Sequence, residues 1–387
     1  LTQIPQTAFV STTTIETAKK WETRHLHSHE GCMKDKRKYA ENFVSIESES
    51  NRPSNVRFIQ SFADRHIVIN PPAPAPGQKG LDRIYDLPFT RQPHPRYHHR
   101  PAIPAYEMIR HSVNTHRGCF GGCSFCTIAA HQGKMIQSRS KESILNEVNY
   151  IKEMPDFKGH ITDLGGPSAN MYYMHGKKSE PCNSCNRYSC LYPKICNNLQ
   201  TDHRPLIDLY KAVSANPGVK KVTIGSGIRY DFLKQDENKN HFREYFALLV
   251  RKHVSGRLKV APEHGIKKVL QNMRKPDFDL FRELKDIFDK INEENHLKQQ
   301  LIPYFISSHP SCTPEDMASL AVMTKKMGYK LEQVQDFTPT PMTLATVMYY
   351  TGLDPYSMKP VTTSRSLKER KKQIIFFFWY KKEYQQQ

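Results

Sequence analysis

From about residue 107 onward the chain repeats one pattern: a short apolar segment, a polar turn, then a longer stretch with helical spacing. The strand candidates lie at 109–114, 160–164, 220–224, 257–261, 301–307 and 333–337. Between them, SKESILNEVNYIKEM puts Ile144, Val148 and Ile151 on one helical face. TPEDMASLAVMTKKMG offers Thr313 as N-cap, Pro314 at the first helical position, acids in the first turn and a terminal Gly328. Strands alternating with helices predict a parallel sheet. An open Rossmann-like sheet and a closed or partial barrel share this alternation. The groups after the strands carry more information: THRGC, DLGGPSAN, GSGIRYD, APEH, SSHP and TPTP are polar or rich in Gly and Pro. In a (β/α) barrel those ends converge on the C-terminal mouth, where such proteins place their chemistry.

The flanks read differently. Residues 1–56 mix Ser, Thr, Asn and charge with little periodicity, and are expected to be weakly structured, as a remnant of a larger N-terminal domain would be. A strand candidate, HIVIN at 66–70, runs into PPAPAPG, and prolines continue through RQPHPRYHHRPAIPAYE. Proline removes a ladder donor and breaks helix interiors, so 57–106 is expected to be an extended Pro-rich wrap. Its histidines lack helical or turn spacing for a metal. The tail, 357–387, is basic and densest from Lys368 to Lys372. Lys and Arg number 57 against 38 Asp and Glu, and the net charge of +19 favours anionic partners such as nucleic acid. The remaining basic pairs, Lys177 and Lys178 or Lys325 and Lys326 for example, are scattered as on a solvated surface. No run of 18 apolar residues could span a membrane, and IIFFFWY at 374–380 is short enough to read as a buried terminal element. No secretory signal is visible, and a start at Leu1 leaves room for residues upstream. The nine cysteines cluster instead of spreading, which argues against a disulfide framework and for a reducing, cytoplasmic compartment.

RGCFGGCSFCT, at 117–127, holds Cys119, Cys123 and Cys126 at C-x3-C-x2-C spacing on the loop after the first strand. A closed zinc site or a cubane iron-sulfur cluster would usually take four protein ligands. Gly118, Gly121 and Gly122 let the backbone curl and turn N–H groups toward a thiolate-rich centre. A structural zinc would need a fourth ligand, for which His116 or His131 could serve. A second group, Cys182, Cys185, Cys190 and Cys196, has C-x2-C-x4-C-x5-C spacing in a polar segment where core packing does not explain thiols. It suits an auxiliary iron-sulfur cluster or a zinc.

The first loop, with Phe125 just before its last cysteine, resembles the signature of radical S-adenosylmethionine (SAM) enzymes. In that superfamily three cysteines hold three irons of a [4Fe-4S] cluster and the fourth iron binds SAM. RGCFGGCSFC, DLGGPSANMY, TDHRPLIDLY, SGIRYD, KVAPEH, LIPYFISSHP and MYYTG together resemble, in order, segments of the YgiQ family of radical SAM proteins. This similarity runs from about residue 56 to about residue 356, and after about 360 the chain departs from it. The resemblance implies an α/β fold, a partial (β/α)6 barrel of TIM type with parallel strands, at 107–356, with a Cys-rich insertion at 176–200. It implies SAM contacts by Gly165 and Gly166, by Ser226 and Arg229 for ribose and carboxylate, by Glu263 for ribose hydroxyls or ammonium, and by Phe125 for adenine. Cys312 stands where the family favours Gly and Thr, so no catalytic role is assigned to it; His309 beside it could move a proton or be structural. Cys32 is isolated.

The function expected is reductive cleavage of SAM at a [4Fe-4S] cluster, yielding a 5′-deoxyadenosyl radical for an unidentified substrate, with a reductant such as flavodoxin or ferredoxin as partner. The rival is a basic, metal-bound RNA-binding or RNA-modifying protein whose cysteine sites are structural; the interleaved Arg and aromatic stripe of a stacking platform is missing from it.

Overall fold

The computed structural model describes residues 1–13, 21–97, 99–332 and 334–384. Near the amino end, strands β1 (Ala8–Ser11), β2 (Glu22–His25), β3 (Val56–Phe62) and β4 (Arg65–Ile69) form one sheet in the order β1-β4-β3-β2. β1 and β4, and β4 and β3, pair antiparallel, while β2 and β3 run parallel. Helices α1 (His29–Lys34) and α2 (Lys36–Ser50) fill the β2–β3 connection, each started by a side-chain cap, Ser28 and Asp35. The described residues of 1–56 are thus largely folded, against the expectation of weak structure. The physical reason is that polar side chains wired to backbone hold this region, and they leave no apolar periodicity to read. Asn70 donates to the carbonyls of Leu1 and Ile4 at 3.0 and 2.9 Å and accepts from Arg57 Nε at 2.9 Å. Asn42 closes a two-way bond with the His27 backbone at 2.9 and 3.0 Å.

The expected wrap at 57–106 begins within the ordered strands β3 and β4, then includes helix Gly77–Tyr85, a 3-10 turn at Pro95–Tyr97 and the start of helix Pro104–Ile109. It is pinned by Arg91, which donates to the carbonyls of Arg110 and Ser112 at 3.0 and 2.7 Å, and by Asp82, which accepts the Ser140 N–H at 2.9 Å. The first strand candidate at 109–114 is shortened accordingly, because Pro104 starts a helix that runs to Ile109.

Beyond it, β5 (Ser112–Asn114) leads into β6 (His116–Arg117), which pairs antiparallel with β7 (Gln137–Ser138). β8 (His160–Ile161), β9 (Asp163–Gly165), β10 (Lys221–Val222), β11 (Arg257–Glu263), β12 (Gln300–Ser307) and β13 (Val334–Asp336) follow. The fold is mixed α/β with parallel strands: β5 pairs β9, β8 pairs β10, and β11-β12-β13 form a three-stranded set, all parallel. Gln333, first residue of the last candidate, lies outside the described residues. Helix Lys141–Lys152 buries Ile144, Val148 and Ile151, and helix Pro314–Lys326 opens with a Thr313–Asp316 capping box. The main core lies between these strands and helices, around Leu164, Val222, Val260, Phe281 and Phe305. At the carboxyl end, Leu367–Ile375 is helical and Phe377 is buried in the same core, as a buried terminal element requires. No helix among the described residues is long and apolar enough to cross a membrane.

Candidate metal centre and its surroundings

The Cys119–Cys126 loop is an excursion closed at its base by the β6–β7 pair. The Cys119 N–H donates to the Gly133 carbonyl at 3.1 Å, the Ser124 N–H to Met273 at 3.1 Å, and Ser124 in turn accepts from the Ala345 N–H at 2.8 Å. Gly118 and Gly122 have φ of +89° and +64°, where glycine is the low-cost residue. A Cβ on Gly118 would sit 2.6 Å from the Met135 carbonyl oxygen. The Gly121 N–H points at Cys119 Sγ, 3.4 Å away, as expected of a loop whose amides face sulfur.

The three thiols are free, partly exposed and electrostatically coupled. Burial, with Cys123 and Cys119 adding to it, pushes the Cys126 thiol up to about 12. Burial also raises Cys119, against the opposing pull of Arg229. Thiolates held together on one loop repel one another, and a bound metal would supply the countercharge and displace thiol protons. Among the described residues no three Cys, His, Asp or Glu side chains converge into a cage for one metal ion. Three thiols on one glycine-rich loop, with an amide turned to sulfur, are by donor chemistry a set that fits a [4Fe-4S] group. The alternative zinc ligands are placed elsewhere: His131 is exposed on helix Ile128–Gln132, and the His116 ring packs under Gly166, where a Cβ would lie 2.8 Å from both ring nitrogens.

The strand ends bring the remaining expected residues to this side. Gly165 ends β9, accepts the Thr115 N–H at 2.7 Å and abuts Ser226, whose Oγ would be 2.7 Å from a Cβ there. The Ser226 hydroxyl donates to Asp163, which also accepts the Gly225 N–H at 2.9 Å. Arg229 is buried, paired with Asp231 through Nε and Nη2 at 2.9 and 3.0 Å, and its Nη1 lies 3.1 Å from Cys123 Sγ. Glu263 ends β11 after a register shift against β12, with φ of +68°. Burial raises its carboxyl, while Lys275, 3.8 Å away, and Arg229 pull the other way. Phe125 and Glu263 line one cavity of about 170 Å³ with Ala261, Tyr304, Ile306, Gln335, Phe337, Thr338 and Thr340.

The second cysteine group is docked on the first loop. Cys190 N–H donates to the Phe120 carbonyl at 3.0 Å and Ser189 Oγ to the Gly121 carbonyl at 2.7 Å. Burial pushes the Cys190 thiol up to about 11, with Lys134 opposing and Cys196 and Cys185 adding. Cys182 is set apart, against Gly176 and accepting from Asn198 Nδ2 at 3.3 Å. Arg187 donates to the carbonyls of Ser189, Tyr192 and Lys194, bracing the turn between Cys190 and Cys196.

His309 has both ring nitrogens engaged: Nδ1–H donates to Pro310 O at 2.8 Å and Nε2 accepts from Ser124 Oγ at 3.2 Å. With burial holding it down at about 4, it is a neutral tie between the loop after β12 and the cysteine loop. Cys312 is buried, its thiol pushed up to about 12, with Sγ 3.5 Å from His264 Nε2. His264 Nδ1 accepts the Ile266 N–H at 3.0 Å, so Nε2 carries the proton and cannot act as base toward that thiol. Cys32 is a packed core thiol accepting from Asn42 Nδ2 at 3.1 Å. Sequence reasoning missed Arg274, which stacks on Tyr188 at 3.6 Å and pairs with Glu47 of α2 at 2.7 and 3.0 Å. It joins the amino-terminal layer to the second cysteine segment; its φ of +57° has no sequence signal in a non-glycine residue.

Two family models match the chain. Residues 1–112 match the model described as Radical SAM N-terminal, and residues 332–384 match a domain of unknown function, DUF3362. The amino-terminal match and the three-cysteine loop define a radical SAM family protein. A UPF0313 protein of Bacteroides thetaiotaomicron is 56% identical over 371 residues, 95% of this chain and 60% of that one. One from Methanocella arvoryzae is 48% identical over 337 residues, and the UPF0313 protein YgiQ of Escherichia coli K12 is 44% identical over 340 residues, 87% of this chain and 45% of that one. The chain belongs to the UPF0313 family that includes YgiQ, and it spans about half the length of the curated relatives it matches. The match at 332–384 and the 95% coverage carry the relationship past residue 360, where the motifs alone had suggested a departure. A solved radical SAM methyltransferase, TsrM from Kitasatospora setae with cobalamin and a [4Fe-4S] cluster bound, is similar at a TM-score of 0.39 and 14% identity, covering 62% of this chain and 38% of that one.

Proposed function

We propose that the chain is the catalytic part of a radical SAM enzyme, with its parallel strands arranged as a partial (β/α)6 barrel. The observation that carries this is a set of three, not four, mutually coupled thiols on one glycine-rich loop at the strand ends. A [4Fe-4S] group held by Cys119, Cys123 and Cys126 would supply an electron to SAM, giving methionine and a 5′-deoxyadenosyl radical that takes hydrogen from the substrate. The chain's own residues position and shield. Gly165 and Gly166, closely backed by Ser226 and the His116 ring, would offer backbone at the end of β9 to the methionyl group. Ser226, held by Asp163, faces the ribose, and Glu263 offers a carboxylate to its hydroxyls or to the ammonium. Phe125 would cover adenine beside the cavity of about 170 Å³, whose lining sets Phe125, Ala261, Ile306 and Phe337 among Glu263, Tyr304, Gln335, Thr338 and Thr340.

Cys185, Cys190 and Cys196 are the ligands we assign to a second centre, an auxiliary iron-sulfur cluster or zinc, with Cys182, held by Asn198, as its less direct fourth thiol. Its contact with the first loop and the coupling among its thiols support this. A reducing cytoplasm fits nine free cysteines, and a net charge of +19 suits an acidic electron donor of the flavodoxin or ferredoxin kind.

Anaerobic reconstitution followed by dithionite is expected to yield 5′-deoxyadenosine from SAM, with the product lost in a Cys119, Cys123, Cys126 triple Ala variant. Folded, reconstituted protein that never forms it would end this reading. Zinc without iron or sulfide in anaerobically purified protein would favour the rival, a basic RNA-binding module, which salt-dependent RNA copurification would then support.

A further inference from the structure

Arg229 is held more tightly than a cosubstrate contact needs. Its guanidinium is 7% exposed as a residue, and Asp231 takes Nε and Nη2 in a two-pronged pair at 2.9 and 3.0 Å. Its backbone is clamped at both ends by fully buried Asn170, which accepts the Arg229 N–H at 2.8 Å and donates back to the Arg229 carbonyl at 2.8 Å. The edge left over points at sulfur, with Nη1 3.1 Å from Cys123 Sγ. Gly121 provides the room: a Cβ there would lie 3.2 Å from Nη1 and 3.3 Å from Cys119 Sγ.

We infer that Arg229, aimed by Asp231 and Asn170, is a positioning residue that raises the reduction potential of the group bound by Cys119, Cys123 and Cys126. The inference rests on the proposed function. Reduction adds one electron from an external donor, with no proton moved, and part of that charge falls on the ligand sulfurs. A fixed donor at Cys123 stabilises the reduced form more than the oxidised one, and burial of the guanidinium strengthens the effect. Asp231 cancels the net charge of the pair but leaves a dipole with its positive edge on the sulfur. The planar, two-edged guanidinium can hold the carboxylate and the sulfur together; a lysine ammonium lacks that fork.

The test uses the full chain, loaded anaerobically and without SAM. Arg229→Met with Asp231→Leu removes both charges at once and leaves neither stranded, while Arg229→Lys keeps the charge and loses the fork. Iron and sulfide per chain, thermal stability, and the midpoint potential from an EPR-monitored dithionite titration are measured. We expect the double variant to load as wild type, with its reduced-to-oxidised ratio at the wild-type midpoint about tenfold lower, about 59 mV for a one-electron couple. Arg229→Lys should fall between the two. A fully loaded double variant with an unmoved midpoint overturns the inference. So does a folded double variant that no longer holds iron, which would make the pair a support of the loop alone. If the double variant does not fold, Arg229→Lys decides by the same readings. Wild-type protein that takes up no iron-sulfur group defeats the parent reading instead, a distinct result.

Discussion

Gly122→Ala tests whether the two cysteine segments are one assembly. Gly122 has φ of +64°, and an alanine forced into that left-handed region costs about 1–2 kcal/mol. Its Cβ would overlap the Tyr188 carbonyl oxygen and come within 2.9 Å of Ser189 Cβ, so the second segment must move or the loop must shift. Overpacking of that kind costs about 1–3 kcal/mol. The sum, about 2–5 kcal/mol, is a large part of the roughly 5–15 kcal/mol that holds a domain together. Two controls separate the terms. Gly133, with φ +89° and ψ +158° and nothing within 4 Å of an added Cβ, isolates backbone strain, about 1–3 kcal/mol. Gly227 has open space and no positive φ, so its alanine variant should stay within about 1 kcal/mol of wild type. Urea unfolding of the three variants should rank them Gly122, Gly133, Gly227 in loss of stability. Gly122→Ala should also expose the segment at 185–196 to proteolysis first. A Gly122→Ala variant no less stable than Gly133→Ala would refute the docking geometry.

Glu47→Ala strands the buried Arg274, whose side chain is 5% exposed against 17% for Glu47, and should cost about 3–5 kcal/mol in equilibrium unfolding. Loss of the Tyr356 hydroxyl's acceptor adds to it. Burial holds His116, His203 and His309 down to about 4 from 6.5. The unfolded chain therefore binds protons that the folded chain does not once pH drops below 6.5. Their stabilisation is complete above that pH and is lost as pH falls toward about 4, by about 1.4 kcal/mol per pH unit for each histidine. Denaturation midpoints at pH 7, 6 and 5 check this, and a flat profile would contradict it. Replacing Cys185, Cys190 and Cys196 by Ala should lower metal content while the first centre keeps its iron, as read by iron, sulfide and zinc analysis of both triple variants.

Much of this molecule was readable residue by residue, because the signals were local. The helix at Pro314–Lys326 follows from Thr313, Pro314 and Asp316 alone, since a cap needs only neighbours in the chain. The face of Ile144, Val148 and Ile151 needs only the helical period, and the three cysteines with their glycines sit within one loop. Strand positions came through for a similar reason, as apolar runs of four to eight residues show where chain is buried without showing against what. What the chain order could not decide is partnership at long separation. Arg229 and Cys123 are 106 residues apart, Arg274 and Glu47 227, and only the folded backbone brings those charges to sulfur or carboxylate. The amino-terminal layer was misjudged because buried Asn and Arg side chains bind carbonyls there, and such contacts leave no period in the sequence. Local chemistry thus named the thiols, and tertiary packing decided which cation faces them and which second thiol segment lies against them, since electrostatic and steric contacts depend on distance in space and not on distance along the chain.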